Sequence, residues 1–481
     1  MAIVKESELK PNSLPINKII WGDALTTLKK FPSESVDCVI TSPPYWGLRY
    51  YPETEKIWGG DPNCDHEWNE KNYCVKCGAW QGQLGLEPSP ELYVEHLIEI
   101  FREVKRVLKP HGNVFVVIDD VYSGSGKGHG WLDPKYPNAR NGKLNPRQFE
   151  YIAPRKSLCL VPELFAIHMV YRVGFILRQK LIWVKKVLIY KEMETIGNAM
   201  PSSIRDRNTH TFEFVYHFTK EPKYYYDQLR LPYKDETIGR MERAEKLMRK
   251  TGLPISPKNK YYQSLLNGEI DKYGQAGILT GRYIRKYENT KGFTFADNLA
   301  KIRDAMREQG LPEIYPLGAN APDVIQINPE PLKDSHYAPF PTKLVEVLIK
   351  VGCPEQVCKK CGKPREKIVE RQVVFESGSG KSGRPPRGKH ENDPQAKSGS
   401  YDIRMGPVPI VHTIGWTDCG CNAGWTSGIV LDPFLGSGTV ALVALQMGRR
   451  FVGVELNREY CKMAYRRIKP YLQQKKLVEF V

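Results

Sequence analysis

The chain has 481 residues, 41% of them hydrophobic, enough for a large core and roughly two or three structural units. Lys and Arg (71) outnumber Asp and Glu (54), and the formal net charge of +17 favours a polyanionic partner. No apolar run of about 18 residues and no leader-like N-terminus is found, so a helical membrane protein is excluded and a soluble intracellular one expected, its 11 cysteines serving as metal ligands or core residues.

Asn17-Lys18-Ile19-Ile20-Trp21 reads as a strand leading through Gly22 into a helix, with Asp23 placed to cap it. A second apolar strand, Val36-Asp37-Cys38-Val39-Ile40, runs into Thr41-Ser42-Pro43-Pro44-Tyr45-Trp46. Two successive prolines fix φ and remove two backbone donors, which leaves nearby carbonyls to accept hydrogen bonds from a ligand. With the Ser42 hydroxyl and the flat Tyr45 ring, this segment suits a planar ring bearing an exocyclic amine, such as cytosine or adenine. Taken alone, such a segment is more often just a turn that ends a strand.

Cys64-Asp65-His66 followed by Cys74-Val75-Lys76-Cys77 gives C-x-H…C-x2-C within one short loop, a ligand set for a tetrahedral ion. Ser89-Pro90 starts a helix, and Tyr93, Leu97, Phe101, Val104 and Leu108 recur on one face of it. After a turn at Lys109-Pro110-His111-Gly112, residues 113–118 form a buried strand, with Asp119, Asp120 and Tyr122 as supporting groups at its end. Two further strands are predicted at 175–183 and 212–218. Lys185 and Lys186 either face phosphates or form a solvated basic rim.

From Lys220 to Glu330 the pattern changes. Basic helical stretches such as 239–250 alternate with aromatics (Tyr261, Tyr262, Tyr283, Tyr287), a mixture suited to phosphate contacts and base packing. An ordinary charged helical insertion is the alternative. A second ligand set joins Cys358 and Cys361 to Cys419 and Cys421 across a Gly/Ser/Arg/Lys-rich loop at 371–404, too polar to fold alone. Cys353 reads as a helix end, and Cys38, Cys159 and Cys461 as small core residues. Neither four-ligand set leaves an open position, so both are read as structural Zn2+ sites. The strand at 428–431 then enters Asp432-Pro433-Phe434-Leu435-Gly436-Ser437-Gly438-Thr439, a glycine-rich turn before a small-residue helix (440–445). The next strand, 450–455, ends in Glu455, an acid suited to a ribose diol.

Together, Ser42–Tyr45 and the 432–439 turn resemble the amino-methyltransferase family that modifies exocyclic nitrogens of DNA bases with S-adenosylmethionine. The resemblance implies an α/β, Rossmann-like methyltransferase sheet in circularly permuted motif order, because the catalytic segment precedes the cofactor segment. Protein-glutamine methyltransferases carry their Asn-Pro-Pro-Tyr after the glycine motif, which argues against them. By the same resemblance Ser42, Pro43, Pro44 and Tyr45 are catalytic. Asp23, Asp432, Phe434, Gly436, Ser437, Gly438, Thr439 and Glu455 surround the cofactor. Residues 1–219 form the catalytic half with the zinc loop 64–77, 220–330 a mainly helical target-recognition domain, and 331–481 the cofactor-binding half with the second zinc site at 358–421. Ser335–Leu344 resembles the family's helix over the methionine part of the cofactor, with His336 as a positioning residue. The implied partner is double-stranded DNA with a flipped base, in the prokaryotic cytoplasm, alongside a cognate restriction endonuclease and no membrane. Ser42 stands where many adenine-N6 enzymes have aspartate, which favours N4 of cytosine over N6 of adenine. The absence of a Pro-Cys pair argues against carbon-5 methylation. An RNA methyltransferase and a non-catalytic zinc-containing DNA-binding protein are the other readings.

Overall fold

A computed structural model of the protein describes residues 2–51, 53–123, 153–199, 204–231, 319–330, 340–375 and 407–473. The chain divides into two units, one of Met1–Gln228, Pro322–Glu366 and Asp418–Val481, the other of Leu229–Ala321 and Lys367–Thr417.

The first unit is built on a nine-stranded sheet. Its strands are β1 (Ile3–Lys5), β2 (Lys18–Trp21), β3 (Val36–Thr41), β4 (Leu108–Ile118), β5 (Ile176–Val184), β6 (Phe212–Thr219), β7 (Val324–Gln326), β8 (Ile429–Asp432) and β9 (Arg450–Glu455). They lie in the order β1-β2-β9-β8-β3-β4-β6-β5-β7. All neighbours are parallel except β6, which runs antiparallel to both β4 and β5. This is the α/β, Rossmann-like sheet expected from the sequence. Every residue of β3 and β8 is buried, as the near-continuous apolar runs of a parallel sheet covered on both faces require.

Helices α1 (Ala24–Lys29), α2 (Pro90–Val107), α3 (Val161–His168), α4 (Thr342–Gly352), α5 (Thr439–Gln446) and α6 (Arg458–Gln473) belong to the same unit. Ser89 caps α2 by accepting from Leu92 N, Pro90 opens it, and Tyr93, Leu97, Phe101 and Val104 are buried as the stripe predicts. Cys38 and Cys461 are buried, Cys159 is half-buried against the core, and Cys353 caps the C-terminus of α4.

The predicted turn at 109–112 is a bulge inside β4. Val36 pairs with Leu108 while Cys38 pairs with Asn113, so the residues between are squeezed out of register. The bulge brings Lys109 Nζ (2.7 Å) and His111 Nε2 (3.0 Å) to the Asp37 carboxylate, whose other oxygen accepts from Ile429 N at 2.8 Å. Burial pushes that carboxyl's pKa up, but His111 and Lys109 outweigh it and hold it below the usual range. The first amide of β8 is thereby tied to β3.

In the second unit, Arg230–Leu231 pairs with Ala319–Asn320, and Lys367–Phe375 pairs antiparallel with Pro407–Trp416. Residues 371–375, expected at the start of the loop, are instead the end of a strand. The register runs from Lys367 opposite Trp416 to Phe375 opposite Pro407, with Val374 opposite Val408 and an irregularity between Ile368 and Val369. The segments 239–250, 261–262 and 283–287, and His336, lie outside the described residues. Among the described residues, no helix is long and apolar enough to cross a membrane.

Candidate functional site

Five parallel strands, β2, β9, β8, β3 and β4 in spatial order, deliver Asp23, Glu455, Asp432, Ser42 and Asp119 at or just beyond their carboxyl ends. All five line one cavity of about 340 Å³, the crevice position where open α/β sheets bind ligands. Pro43, Pro44, Tyr45, Phe434, Gly436, Ser437 and Thr439 line it too. The structure thus gathers segments from both ends of the chain. Gly438 has a different place: it is the N-cap of α5 with φ +82°, and a Cβ there would meet Ala464 Cβ at 2.7 Å. It lets α5 pack closely on α6.

The Pro-Pro turn is fixed from behind. Tyr93 Oη donates to the Pro44 carbonyl (2.8 Å), and the buried Trp46 donates through Nε1 to the Glu87 carbonyl (2.9 Å). Gly85, at φ +91°, presses against the turn, where a Cβ would lie 3.1 Å from the Pro44 oxygen. Glu87 accepts from Gly85 N (2.7 Å) and meets His96 Nδ1 at 2.8 Å, while Trp58 and Trp80 stack on His96 with centroids 4.3 and 5.6 Å away. Burial raises the Glu87 pKa, although His96 opposes it.

On the cavity side, Tyr45 Oη donates to Glu213 Oε2 at 2.6 Å, and Lys185 pairs with Glu213 Oε1. Lys185 is therefore neither a free phosphate ligand nor a solvated rim. Burial, and then the Glu213 charge, raise the Tyr45 phenol well above its ordinary pKa. Asp119 Oδ1 holds His210 Nε2 at 2.9 Å, which raises the His210 pKa. Asp120 instead accepts from Leu160 N and Val161 N at the start of α3. Sequence reasoning missed Glu213. Its signal was a lone carboxylate between Phe212 and Phe214 in a buried strand.

In the glycine turn, Asp432 Oδ1 accepts from Thr41 Oγ1 (2.7 Å) and Phe434 N (3.0 Å). Glu455 accepts from Gly436 N at 2.8 Å and from Asn457 N at 2.7 Å. Burial lifts both carboxyls to about 7, against the hydrogen bonds that favour their charged forms. Asp23 does cap α1, accepting from Thr26 N at 3.0 Å, and it pairs with Lys56 Nζ at 2.8 Å while facing the cavity.

Both predicted metal sets are assembled. The ligand atoms of Cys64, His66, Cys74 and Cys77 all lie within 4.8 Å of one another, as do those of Cys358, Cys361, Cys419 and Cys421. Each C-x2-C forms a knuckle: Gly78 N donates to Cys74 O and Gly362 N to Cys358 O, both glycines at positive φ (74° and 70°). A Cβ on Gly60 would stand 2.8 Å from Cys77 Sγ, so the first cradle is shaped around its sulfur. Amide donation from Cys361 leads the effects that bring Cys358 down to about 6, towards the thiolate a metal needs. Cys353 stands apart from the second set.

The sequence profile of the DNA methylase family, the N6/N4 methyltransferases, matches residues 36–358 and 422–466. Type II methyltransferase M.SfiI of Streptomyces fimbriatus is 29% identical over 91% of this chain and 88% of its own length. Type II methyltransferase M.Cfr9I of Citrobacter freundii is 25% identical over 97% and 93%. The solved PvuII DNA methyltransferase (cytosine-N4-specific) aligns with a TM-score of 0.40 and 14% identity, covering 96% of this chain and 87% of its own.

Proposed function

The chain belongs to the N6/N4 DNA methylase family, and on that premise we propose that it methylates the exocyclic amine of a base flipped from duplex DNA, N4 of cytosine, as the modification enzyme of a type II restriction-modification pair. The observation that carries this reading is the cavity into which Ser42–Tyr45 and the 432–455 segment both open. Ser42 in place of an aspartate favours cytosine, and the charge of +17 suits a DNA partner. The 220–330 interval is the candidate for target recognition, and both cysteine sets for structural zinc.

The cavity fits S-adenosylmethionine: buried carboxyls stand at two strand ends, and the turn bends through Gly436 at φ +52°. When bound, this cofactor supplies a methyl group on a positively charged sulfur. Glu455 would hold the ribose hydroxyls, with Asp432 and Phe434 beside them and Asp23 towards the adenine. An exocyclic amine is a poor nucleophile because its lone pair is conjugated into the ring. Ser42 Oγ and the Pro43 carbonyl accept its protons and turn that lone pair out of the ring plane, while Tyr45 stacks on the base. The rate gain comes from position and from acceptors fixed in advance by Tyr93, Trp46 and Gly85.

The test is transfer of labelled methyl from S-adenosylmethionine to DNA and to RNA, followed by nucleoside analysis of DNA from cells expressing the chain. Label in duplex DNA as N4-methylcytosine is expected. N6-methyladenine alone would move the chemistry to the other base, and label in RNA alone would overturn the substrate.

Cofactor affinity is expected to weaken as pH falls from 8 to 6. Asp432 and Glu455 have folded pKa values of about 7, so acid protonates the carboxylates that a cation and its ribose prefer. Folding of the cofactor-free protein responds oppositely. The raised values mean that the folded state binds more protons than the unfolded state between about pH 4 and 7, so stability declines as pH rises through that window. Replacing Glu455 by Ala should weaken cofactor binding by ~1.5–3 kcal/mol in calorimetry and flatten the pH dependence.

A further inference from the structure

Once the acceptor nitrogen has gained a methyl group, it carries one proton too many. On the reading that Ser42–Tyr45 holds the amine, the groups touching that nitrogen are an alcohol and an amide carbonyl, and neither keeps a proton near neutral pH. The carboxylates around the cavity differ in what binds them. Asp119 holds His210, Asp432 is buried against Thr41, and Glu455 accepts two backbone amides. Glu213 alone among these is linked to the catalytic segment through the hydroxyl of one of its side chains. The Tyr45 phenol donates to Glu213 Oε2 at 2.6 Å, and the Ser42 hydroxyl of the same turn is near enough to draw the phenol's pKa down against burial. Glu213 is 8% exposed, Lys185 is its counter-ion, and all four residues line the cavity.

We propose that Ser42, Tyr45 and Glu213 form a proton relay that carries the surplus proton of the methylated amine to the Glu213 carboxylate. The N–H bond breaks and leaves its electron pair on nitrogen. Ser42 Oγ takes that proton as its own passes to Tyr45 Oη, and the phenol's own proton passes to Glu213 Oε2. The net change is one N–H bond broken and one O–H bond formed on Glu213, with both hydroxyls restored. Burial and the Glu213 charge keep the phenol protonated, so it gives up a proton only as it receives one. Lys185 balances the carboxylate before turnover and becomes the cavity's uncompensated cation afterwards. Asp119 and His210 are the other charged groups near the phenol.

The test is single-turnover methyl transfer by the full-length protein on DNA that the wild type methylates. Tyr45→Phe keeps the stacking ring but cuts the relay, and Glu213→Gln still accepts from the phenol but cannot take the proton. Each should slow transfer by about 10²-fold, with affinities for cofactor and DNA within about twofold of wild type. The double variant should be no slower than either single one. Formate should restore much of the rate of Glu213→Ala, which a purely structural role would not allow. A wild-type rate in either single variant, additive losses in the double one, or no response to formate would overturn the relay. An inactive wild type on every DNA would instead sink the functional reading on which the relay rests.

Discussion

Protein purified without chelator should carry about two zinc ions per chain, and stripping them should cost both order and activity. Each set offers four ligands within 4.8 Å and leaves no vacant position, which is the make-up of a structural site. Binding of structural zinc is worth about 10–16 kcal/mol in zinc-finger peptides, more than the net stability of most domains. In the first set, Cys74→Ala should remove one ion by metal analysis. It should also loosen the loop between Lys56–Trp58 and Trp80–Gly82, whose tryptophans clamp His96 and, through Glu87, the back of the Pro-Pro turn. Loss of turnover at temperatures where the sheet stays folded is therefore expected on chelation. A metal count near zero refutes both sites. A count near one removes the set divided between 358–361 and 419–421.

Tyr45→Ala should reduce turnover sharply while cofactor affinity holds, if, as proposed, the ring stacks on the base and does not contact the cofactor. Loss of base stacking is worth ~1–3 kcal/mol. Loss of the phenol's bond to Glu213 adds to the catalytic defect without adding to the binding defect. Ser42→Ala should lower the rate and leave DNA affinity nearly unchanged. Duplexes with a fluorescent base analogue at the target position separate the two variants: flipping should fail in Tyr45→Ala and persist in Ser42→Ala. A Ser42→Ala protein with full turnover would show that this hydroxyl does not orient the amine.

The strands and motifs were legible because their signals are local. The strand ending at Ile40, the proline turn after it, the glycine turn at 432–439 and both Cys-x2-Cys knuckles are each set by neighbours a few residues away. What escaped depends on pairs far apart in sequence. Tyr45 meets Glu213 across 168 positions, and only the sheet order makes Glu213 part of the site. The bulge at 109–112 looks like a turn in isolation, and only the buried Asp37 explains why two cations are placed there. Asp23 reads from the sequence both as a helix cap and as a cofactor neighbour; the structure shows the cap, on a residue that also lines the cavity. The hairpin of 367–375 with 407–416 was hidden because its two strands flank a polar stretch that dominates the local composition.

The strand order also bears on how the chain is made. β2 and β3 are separated by only a short helical connection, yet β9 and β8, from the far end of the chain, lie between them. Asn17 Oδ1 receives the amide of Phe451 across 434 positions. At roughly 5–20 residues per second, the ribosome would take roughly 20–90 s to deliver the strands that fill this gap. Until then β2 and β3 have no partners on their facing edges, although every residue of β3, the apolar Val36, Cys38, Val39 and Ile40 as well as Asp37 and Thr41, is buried in the finished sheet. A nascent chain with such an open seam is an expected client for holding chaperones. Truncations that stop before residue 429 should accumulate as insoluble protein, and supplying 418–473 as a separate fragment should rescue solubility by closing the seam.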